Sequence, residues 1–171
     1  MPFIEALWFI APAYAANSFP VLMRGKVPLD GRRFFRGRRL LGDGKTLEGT
    51  IGGILFGIFI GLIQVFYQHL VPQEWGLRLI GMTAPMVVLL SVGALAGDIV
   101  GSFIKRQRGM ERGEKAVPLD QLGFLVAALL FVAPVFIPNV VTLIILFIVT
   151  PGLHLVSNMF GYMVKIKNRP W

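Results

Sequence analysis

The sequence predicts an all-α integral membrane protein with five transmembrane helices. Hydrophobic residues make up 55% of the chain and charged residues only 15%, a composition typical of membrane proteins and unlike that of a soluble domain. Five apolar stretches are long enough to cross a bilayer as helices. The basic residues fall almost entirely into segments that separate alternate stretches, as they do in multi-pass proteins with one strongly positive face.

The five stretches are expected to be membrane spans, because a helix crosses a hydrocarbon layer of about 30 Å with about 20 apolar residues. The predicted spans are residues 3–23, 51–70, 77–103, 119–136 and 140–164. With 171 residues, the chain is expected to form a single membrane domain. Pro12, Pro85 and Pro151 fall inside spans, where kinks are expected.

The distribution of Lys and Arg predicts the orientation of these spans. All 17 of these residues except Arg78 lie in the loop 24–50, in the loop 104–118 or in the carboxyl-terminal tail. Alternating crossings put these three segments on one face, which the positive-inside tendency makes cytoplasmic, so the amino terminus is outside and the carboxyl terminus is cytoplasmic. The net charge of +8 therefore requires no nucleic-acid partner, while a basic membrane surface suits anionic headgroups and phosphorylated ligands.

Asp98 is a carboxylate inside the third predicted span. A charge in hydrocarbon is costly, so such residues usually face a polar cavity and mark a pathway or a reaction site. Ser102 and Lys105 share its helix face, being four and seven positions further on. Arg106 follows, and Asp120 lies beyond a short polar loop. Two carboxylates with intervening cations predict a metal and phosphate site, although a structural ion pair between Asp98 and Lys105 remains an alternative.

Polar side chains at one depth on three spans predict a water-accessible cavity that opens to the cytoplasm. The residues are Asn17, Ser18, Asp98, Ser102, His154, Ser157 and Asn158. For any single Ser or Asn among them, hydrogen bonding between helices is an equally good explanation, but it explains the group less well.

Glycines at four-residue spacing predict close packing of the central helices, because one helix face without side chains lets backbones approach. They are Gly49, Gly53, Gly57 and Gly61 in one series, and Gly93, Gly97 and Gly101 in the other. Gly97 would also leave room for an ion beside Asp98.

The first loop, residues 24–50, combines two patterns. Arg pairs alternate with Phe and Leu pairs, which is typical of an interfacial segment whose apolar side dips into the headgroups. Further on, glycines bracket Lys45 and Thr46, so backbone amides and a cation could converge on an anionic group before the second span. This segment is not a P-loop, because Arg39 occupies the position of the first glycine and no strand is predicted before it.

One group of motifs resembles a known family. Gly97-Asp98 with residues 102–106, followed by residues 118–121, resembles the carboxyl-terminal signature of the CDP-diacylglycerol synthases, which are membrane-bound cytidylyltransferases. The chain departs from the bacterial and eukaryotic pattern, having Glu111-Arg112 in place of Lys-Asp and Asp120-Gln121 in place of the closing Asp-Arg. These departures, the small size and the segment 42–49 resemble the archaeal branch, the CDP-archaeol synthases. The resemblance covers about residues 30–124.

The resemblance implies a transfer of CMP from CTP to digeranylgeranylglyceryl phosphate, an isoprenoid ether lipid phosphate, with release of pyrophosphate. It implies that Asp98 and Asp120 are catalytic and hold one or two Mg²⁺ ions. The other implied site residues are Lys105 as a catalytic cation, Lys45, Thr46, Ser102, Arg106 and Gln121 for the nucleotide, and Arg32 or Arg33 for the lipid phosphate. The expected partners are CTP, this lipid phosphate and the bilayer, and the sequence leaves a homo-oligomer open.

Two other functions remain open from the residues. Asp98 with His154 and Asn158 could pass protons or cations in a small ion-coupled transporter, although five spans cannot divide into two equal inverted repeats. A CTP-dependent polyprenol or lipid kinase would need the same metal and the same cations. Release of pyrophosphate rather than of a nucleoside diphosphate would separate the cytidylyltransferase from the kinase.

Overall fold

The computed structural model describes residues 2–23, 25–71, 79–111, 114 and 116–165. Its elements are α1 (Pro2–Ser18), α2 (Pro20–Met23), β1 (Phe34–Phe35), β2 (Arg38–Arg39), α3 (Leu47–Tyr67) with a 3-10 turn at Gln68–Leu70, α4 (Ala84–Gln107), α5 (Leu119–Val132) and α6 (Val140–Met163). Outside the described residues lie six of the basic residues used above, namely Arg24, Arg78, Arg112, Lys115, Lys167 and Arg169.

Four helical stretches in the described part of the chain are long and apolar enough to cross a membrane. They are Pro2–Met23, Leu47–Leu70, Ala84–Gln107 and Val140–Met163. The predicted all-α membrane architecture is therefore confirmed, and a small two-stranded hairpin in the first loop is the addition to it.

The fourth predicted span, residues 119–136, is longer than the helix that it contains. α5 has 14 residues and ends at Val132, short of the length that crosses a bilayer without thinning it. Residues 133–135 form a turn that includes Pro134. Pro134 has no N–H to donate to the turn before it, so the ladder of helical hydrogen bonds is interrupted there, although Ala133 before it keeps a helical conformation.

The third predicted span, residues 77–103, begins and ends several residues before the helix that the structure shows. α4 starts at Ala84, after Thr83 in an extended conformation, and it continues to Gln107. Pro85 therefore lies in the first helical turn, where a missing N–H costs nothing, and it does not kink a span as predicted.

The glycine series pack helices together as predicted. All seven glycines are buried on α3 and α4. A Cβ built on Gly57 would lie 2.7 Å from the carbonyl oxygen of Pro12, and one on Gly61 would lie 2.3 Å from a methyl carbon of Val87. α3 therefore touches α1 and α4 at distances that no larger residue would permit.

Candidate functional site

Asp98 and Asp120 line the same small pocket. α4 supplies Asp98 and Ser102, the first turn of α5 supplies Asp120, and α1 supplies Asn17. The complete lining is Asn17, Gly97, Asp98, Gly101, Ser102, Leu119, Asp120 and Phe124. Its volume of about 20 Å³ is enough for roughly one water-sized occupant.

The pocket exists because α5 lies directly against α4. A Cβ built on Gly97 would lie 2.5 Å from the carbonyl oxygen of Gly123 and 2.9 Å from the Cα of Phe124. This contact holds the start of α5 beside the helix face that carries Asp98. Asp120 lies in the first turn of α5, where the helix dipole favours a negative charge.

Each carboxylate in the pocket pairs with one lysine. The Lys45 ammonium group donates to Oδ2 of Asp98. Nζ of Lys105 donates to Oδ1 of Asp120 at 2.6 Å, and the N–H of Ala116 donates to Oδ2 of the same residue at 2.9 Å. The alternative pair of Asp98 with Lys105 is therefore wrong. All four charged side chains are between 17% and 29% exposed, so a charged ligand can reach them.

Lys45 comes from the end of the first loop, which closes on itself beside the pocket. The N–H of Leu29 donates to the carbonyl of Lys45 at 2.8 Å, and the N–H of Leu47 donates to the carbonyl of Val27 at 2.9 Å. The hydroxyl of Thr46 accepts from the N–H of Gly49 and caps α3. Thr46 therefore has a structural role as a helix cap, which does not depend on the predicted contact with the nucleotide.

A second, open cleft of about 560 Å³ lies where the first loop meets the end of α4. Its lining is Arg38, Arg39, Arg106, Gly109, Met110 and Glu111. Arg106 is the predicted site residue among them, and its Nε is buried without a hydrogen-bond partner in the described structure. Sequence reasoning missed Arg38 and Arg39 as cleft residues, because only the fold of the loop brings them to Arg106.

The hairpin explains how these arginines reach α4. Phe34 pairs with Arg39 and Phe35 with Arg38, across a turn at residues 36–37 in which both residues have positive φ. The Phe35 ring lies 6.1 Å from that of Phe103 on α4. The predicted interfacial segment is therefore a hairpin that packs on the helix bearing Asp98.

Of the other predicted residues, Arg32, Arg33 and Gln121 line neither cavity. Arg32 and Arg33 are exposed before the hairpin, and Gln121 follows Asp120 on α5. Of the residues predicted to form a polar cavity, Asn17, Asp98 and Ser102 line the small pocket, whereas Ser18 is exposed. α5 and not α6 forms its remaining wall. On α6, His154 and Asn158 contact each other at 3.1 Å between their ring and amide nitrogens.

The donor set of the small pocket fits Mg²⁺. Carboxylate and hydroxyl oxygens are the hard ligands that this ion prefers, and it commonly takes one or two carboxylates with the rest of its shell from water and phosphate. Within the described residues there is no group of three or more His, Asp and Glu residues that would form a cage made by the protein alone. A pair of carboxylates beside a phosphate ligand is the arrangement that the residues allow.

The comparisons with known proteins agree over nearly the full length. A family model described as CarS-like CDP-archaeol synthase matches residues 2–171. The CDP-archaeol synthase of Pyrococcus horikoshii is 46% identical over 169 residues, covering 98% of this chain and 96% of that protein. That of Thermococcus kodakarensis is 47% identical over 167 residues, covering 97% and 95%.

A solved structure, reported as that of an intramembrane enzyme for archaeal membrane lipids biosynthesis, has the same fold. It superposes with a TM-score of 0.78 at 34% sequence identity, covering 92% of this chain and 94% of that one. Family match, relatives and fold coincide, and the chain therefore belongs to the CDP-archaeol synthase family.

Proposed function

We propose that this protein transfers CMP from CTP to digeranylgeranylglyceryl phosphate, producing CDP-archaeol and pyrophosphate. The observation that carries the proposal is the pocket in which Asp98 and Asp120, each paired with a lysine, meet at one end of the helix bundle. Membership of the CDP-archaeol synthase family supplies the nucleotide and the lipid class.

The reaction suits a site without a strong general base. A phosphate monoester has a second pKa of about 6, so it is largely dianionic at neutral pH and can attack the α-phosphorus of CTP unaided. The catalytic task is to bring anions together and to stabilise charge as pyrophosphate leaves. Lys45 and Lys105 approach the pocket from two segments, and each ammonium has three N–H donors, so it can contact its carboxylate and a phosphate oxygen together.

Asp98 and Asp120 would hold one or two Mg²⁺ ions, with Ser102 beside them in the pocket. When bound, the metal would neutralise phosphate oxygens of CTP and orient the α-phosphorus for in-line attack. The two carboxylates thus fix where the triphosphate lies relative to the lysines.

The open cleft provides space for the rest of the nucleotide. Arg106 lies eight residues beyond Asp98 on α4, roughly 12 Å along the helix axis. A triphosphate whose α-phosphorus is at the small pocket could therefore extend toward Arg106 and Arg38 as pyrophosphate departs. Thr46 and Gln121 remain proposed nucleotide contacts, and exposed Arg32 or Arg33 is proposed to clamp the lipid phosphate.

The proposed topology has five crossings, with the active site on the cytoplasmic side, the amino terminus outside and the carboxyl terminus inside. The distribution of basic residues supports this orientation. α5 has only 14 helical residues, but a short apolar helix can cross where the bilayer thins around it.

The activity is tested with purified protein, CTP, Mg²⁺ and the lipid phosphate. A cytidylyltransferase releases pyrophosphate, a kinase releases CDP, and a transporter releases neither. The variant Asp98→Asn should lower turnover by more than about 100-fold, because it removes a charge that acts on the triphosphate through the metal.

The matched control is Asp43→Asn, which removes the same charge from an exposed loop position and should stay within about twofold of wild type. Size-exclusion profiles and helical circular dichroism of both variants should equal those of wild type. Wild-type turnover in Asp98→Asn would refute the assignment of this residue.

A further inference from the structure

Asp30 is the most heavily hydrogen-bonded side chain in the described part of the first loop, residues 25–50, although it lines neither cavity. Its side chain is 0% exposed. Five hydrogen bonds converge on its carboxylate, two of them from the Arg39 guanidinium at 2.9 and 3.2 Å. The other three come from the backbone N–H groups of Arg32, Leu41 and Gly42 at 3.0 to 3.1 Å.

A single residue, Gly42, links this carboxylate to the backbone of Lys45. The N–H of Gly42 donates to Oδ2 of Asp30, and the carbonyl of Gly42 accepts from the N–H of Lys45 at 3.3 Å. The side chain of Lys45 then reaches Asp98. Gly42 has a φ of 83°, which a glycine adopts without strain, so this residue can hold both hydrogen bonds at once.

Arg39 fixes the other end of the same arrangement. Nε2 of Gln107, the last residue of α4, donates to the carbonyl of Arg39 at 3.4 Å, and the Arg38 guanidinium donates to the carbonyl of Gln107. Asp30 therefore joins the part of the loop that carries Lys45 to the part that is attached to the helix of Asp98.

We infer that Asp30 is a positioning residue, whose buried carboxylate holds the first loop so that Lys45 meets Asp98 in the active site. The inference rests on the proposed function for its catalytic consequence, and on the hydrogen bonds alone for its structural consequence. Fixing a flexible lysine side chain costs conformational entropy. A rigid backbone beneath Lys45 meets part of this cost before the substrate binds.

The structural consequence is tested by labelling lysine amines with an acylating reagent and locating the label by mass spectrometry. In Asp30→Asn, labelling of Lys45 should rise by about fivefold or more, because the loop opens locally and the contact with Asp98 is lost more often. Lys105 should keep its wild-type labelling, since its partner Asp120 lies on α5. Exposed Lys165 serves as the reference for reagent activity.

Asp43→Asn is the matched control for this experiment. Asp43 also pairs with Arg39, at 3.0 Å, but it is 60% exposed and takes no part in the link through Gly42. Labelling of Lys45 should not change in this variant. An unchanged rate at Lys45 in Asp30→Asn, or an equal rise at Lys45 and Lys105, would overturn the inference.

A second pair of variants applies if Asp30→Asn does not fold. Gly42→Ala forces a side chain into the left-handed region at the linking residue, and Gly37→Ala imposes the same strain at the hairpin turn, where the added Cβ meets nothing within 4 Å. Lys45 labelling should rise in Gly42→Ala alone, and an equal response in both variants would count against the link.

The catalytic consequence is measured as pyrophosphate release. In Asp30→Asn, kcat/KM for CTP should fall by about tenfold or more, because a small displacement of a positioning group is costly. Wild-type kinetics together with raised Lys45 labelling would overturn the catalytic part of the inference. If wild-type protein released no pyrophosphate, the proposed function would fail, and the labelling result would still decide the structural part.

Discussion

Asp98 and Asp120 are each held by a lysine that the helix pattern alone does not assign. Periodicity on one helix relates Asp98 to Lys105, and that pair was the natural alternative from the sequence. The structure instead joins Asp98 to Lys45, 53 positions earlier in the chain. Contacts between a loop and a helix depend on how the loop folds, which no periodicity encodes. That the two carboxylates lie in one pocket was therefore predictable, whereas their pairing with lysines was not.

Asp120 offers a direct test of the metal site. Asp120→Asn removes one of two proposed carboxylate ligands, so the Mg²⁺ concentration for half-maximal activity should rise by about tenfold or more. Chelation should abolish wild-type activity, and excess Mg²⁺ should restore it. Glu114→Gln, at an exposed acidic residue six positions before Asp120, should leave the magnesium titration unchanged. Full activity of the chelated enzyme would argue against any metal requirement.

Asp30 makes stability depend on pH in a defined direction. Burial opposes its ionisation, but the hydrogen bonds from Arg39 and from the backbone of Leu41, Gly42 and Arg32 prevail and hold the pKa of its carboxyl well below the ordinary value of 3.8. A lowered pKa stabilises the folded protein fully above the ordinary value, and this stabilisation is lost as the pH falls below it toward the folded-state pKa.

Asp30→Asn should therefore lower the free energy of unfolding by about 2–4 kcal/mol at neutral pH, since it leaves Arg39 without its buried partner. The difference from wild type should shrink progressively below about pH 4. Thermal unfolding in detergent at neutral and acidic pH measures it. A difference that stays constant with pH would mean that charge is not what Asp30 contributes.

At the scale of elements, the contact of α4 with α5 positions the site. The glycine series predicted close packing of α4, because small residues at four-residue spacing have few other uses in a membrane helix. The partner was not predictable, since a bare helix face suits any neighbour. The early end of α5 was not predicted, because the apolar stretch continues past Pro134 while the helix does not. The hairpin was not predicted either, because two-residue strands leave almost no periodic pattern.

A single methyl group at Gly97 should separate α4 from α5. Gly97→Ala places a Cβ 2.5 Å from a backbone oxygen that cannot move alone, so it should cost about 1–3 kcal/mol of stability. The rate of pyrophosphate release should also fall under conditions in which the variant is still folded, because Asp98 and Asp120 shift relative to each other. Gly152→Ala on α6, where nothing lies within 4 Å, should change stability by less than about 0.5 kcal/mol. Thermal unfolding and pyrophosphate release report the two quantities.

At the scale of the whole molecule, the number of membrane crossings can be measured by labelling introduced cysteines. The chain contains no cysteine, so each introduced cysteine is a background-free probe. Five crossings place Phe34→Cys and Glu114→Cys on the cytoplasmic side and Ile137→Cys outside. Membrane-impermeant maleimide added to sealed vesicles of known orientation should label the sites accordingly. Labelling of positions 114 and 137 from the same side would show that α5 does not cross.

The small volume beside Asp98 has a consequence for how the enzyme selects lipids. A space of about 20 Å³ accommodates an ion or a water molecule and no part of a hydrocarbon chain. If the proposed site is correct, only the charged head of the lipid approaches this pocket, and isoprenoid and fatty-acyl lipids share that head. We therefore expect any preference between such tails to be exercised by the outward surfaces of the helices, where the tails would stay in the bilayer while the head reacts.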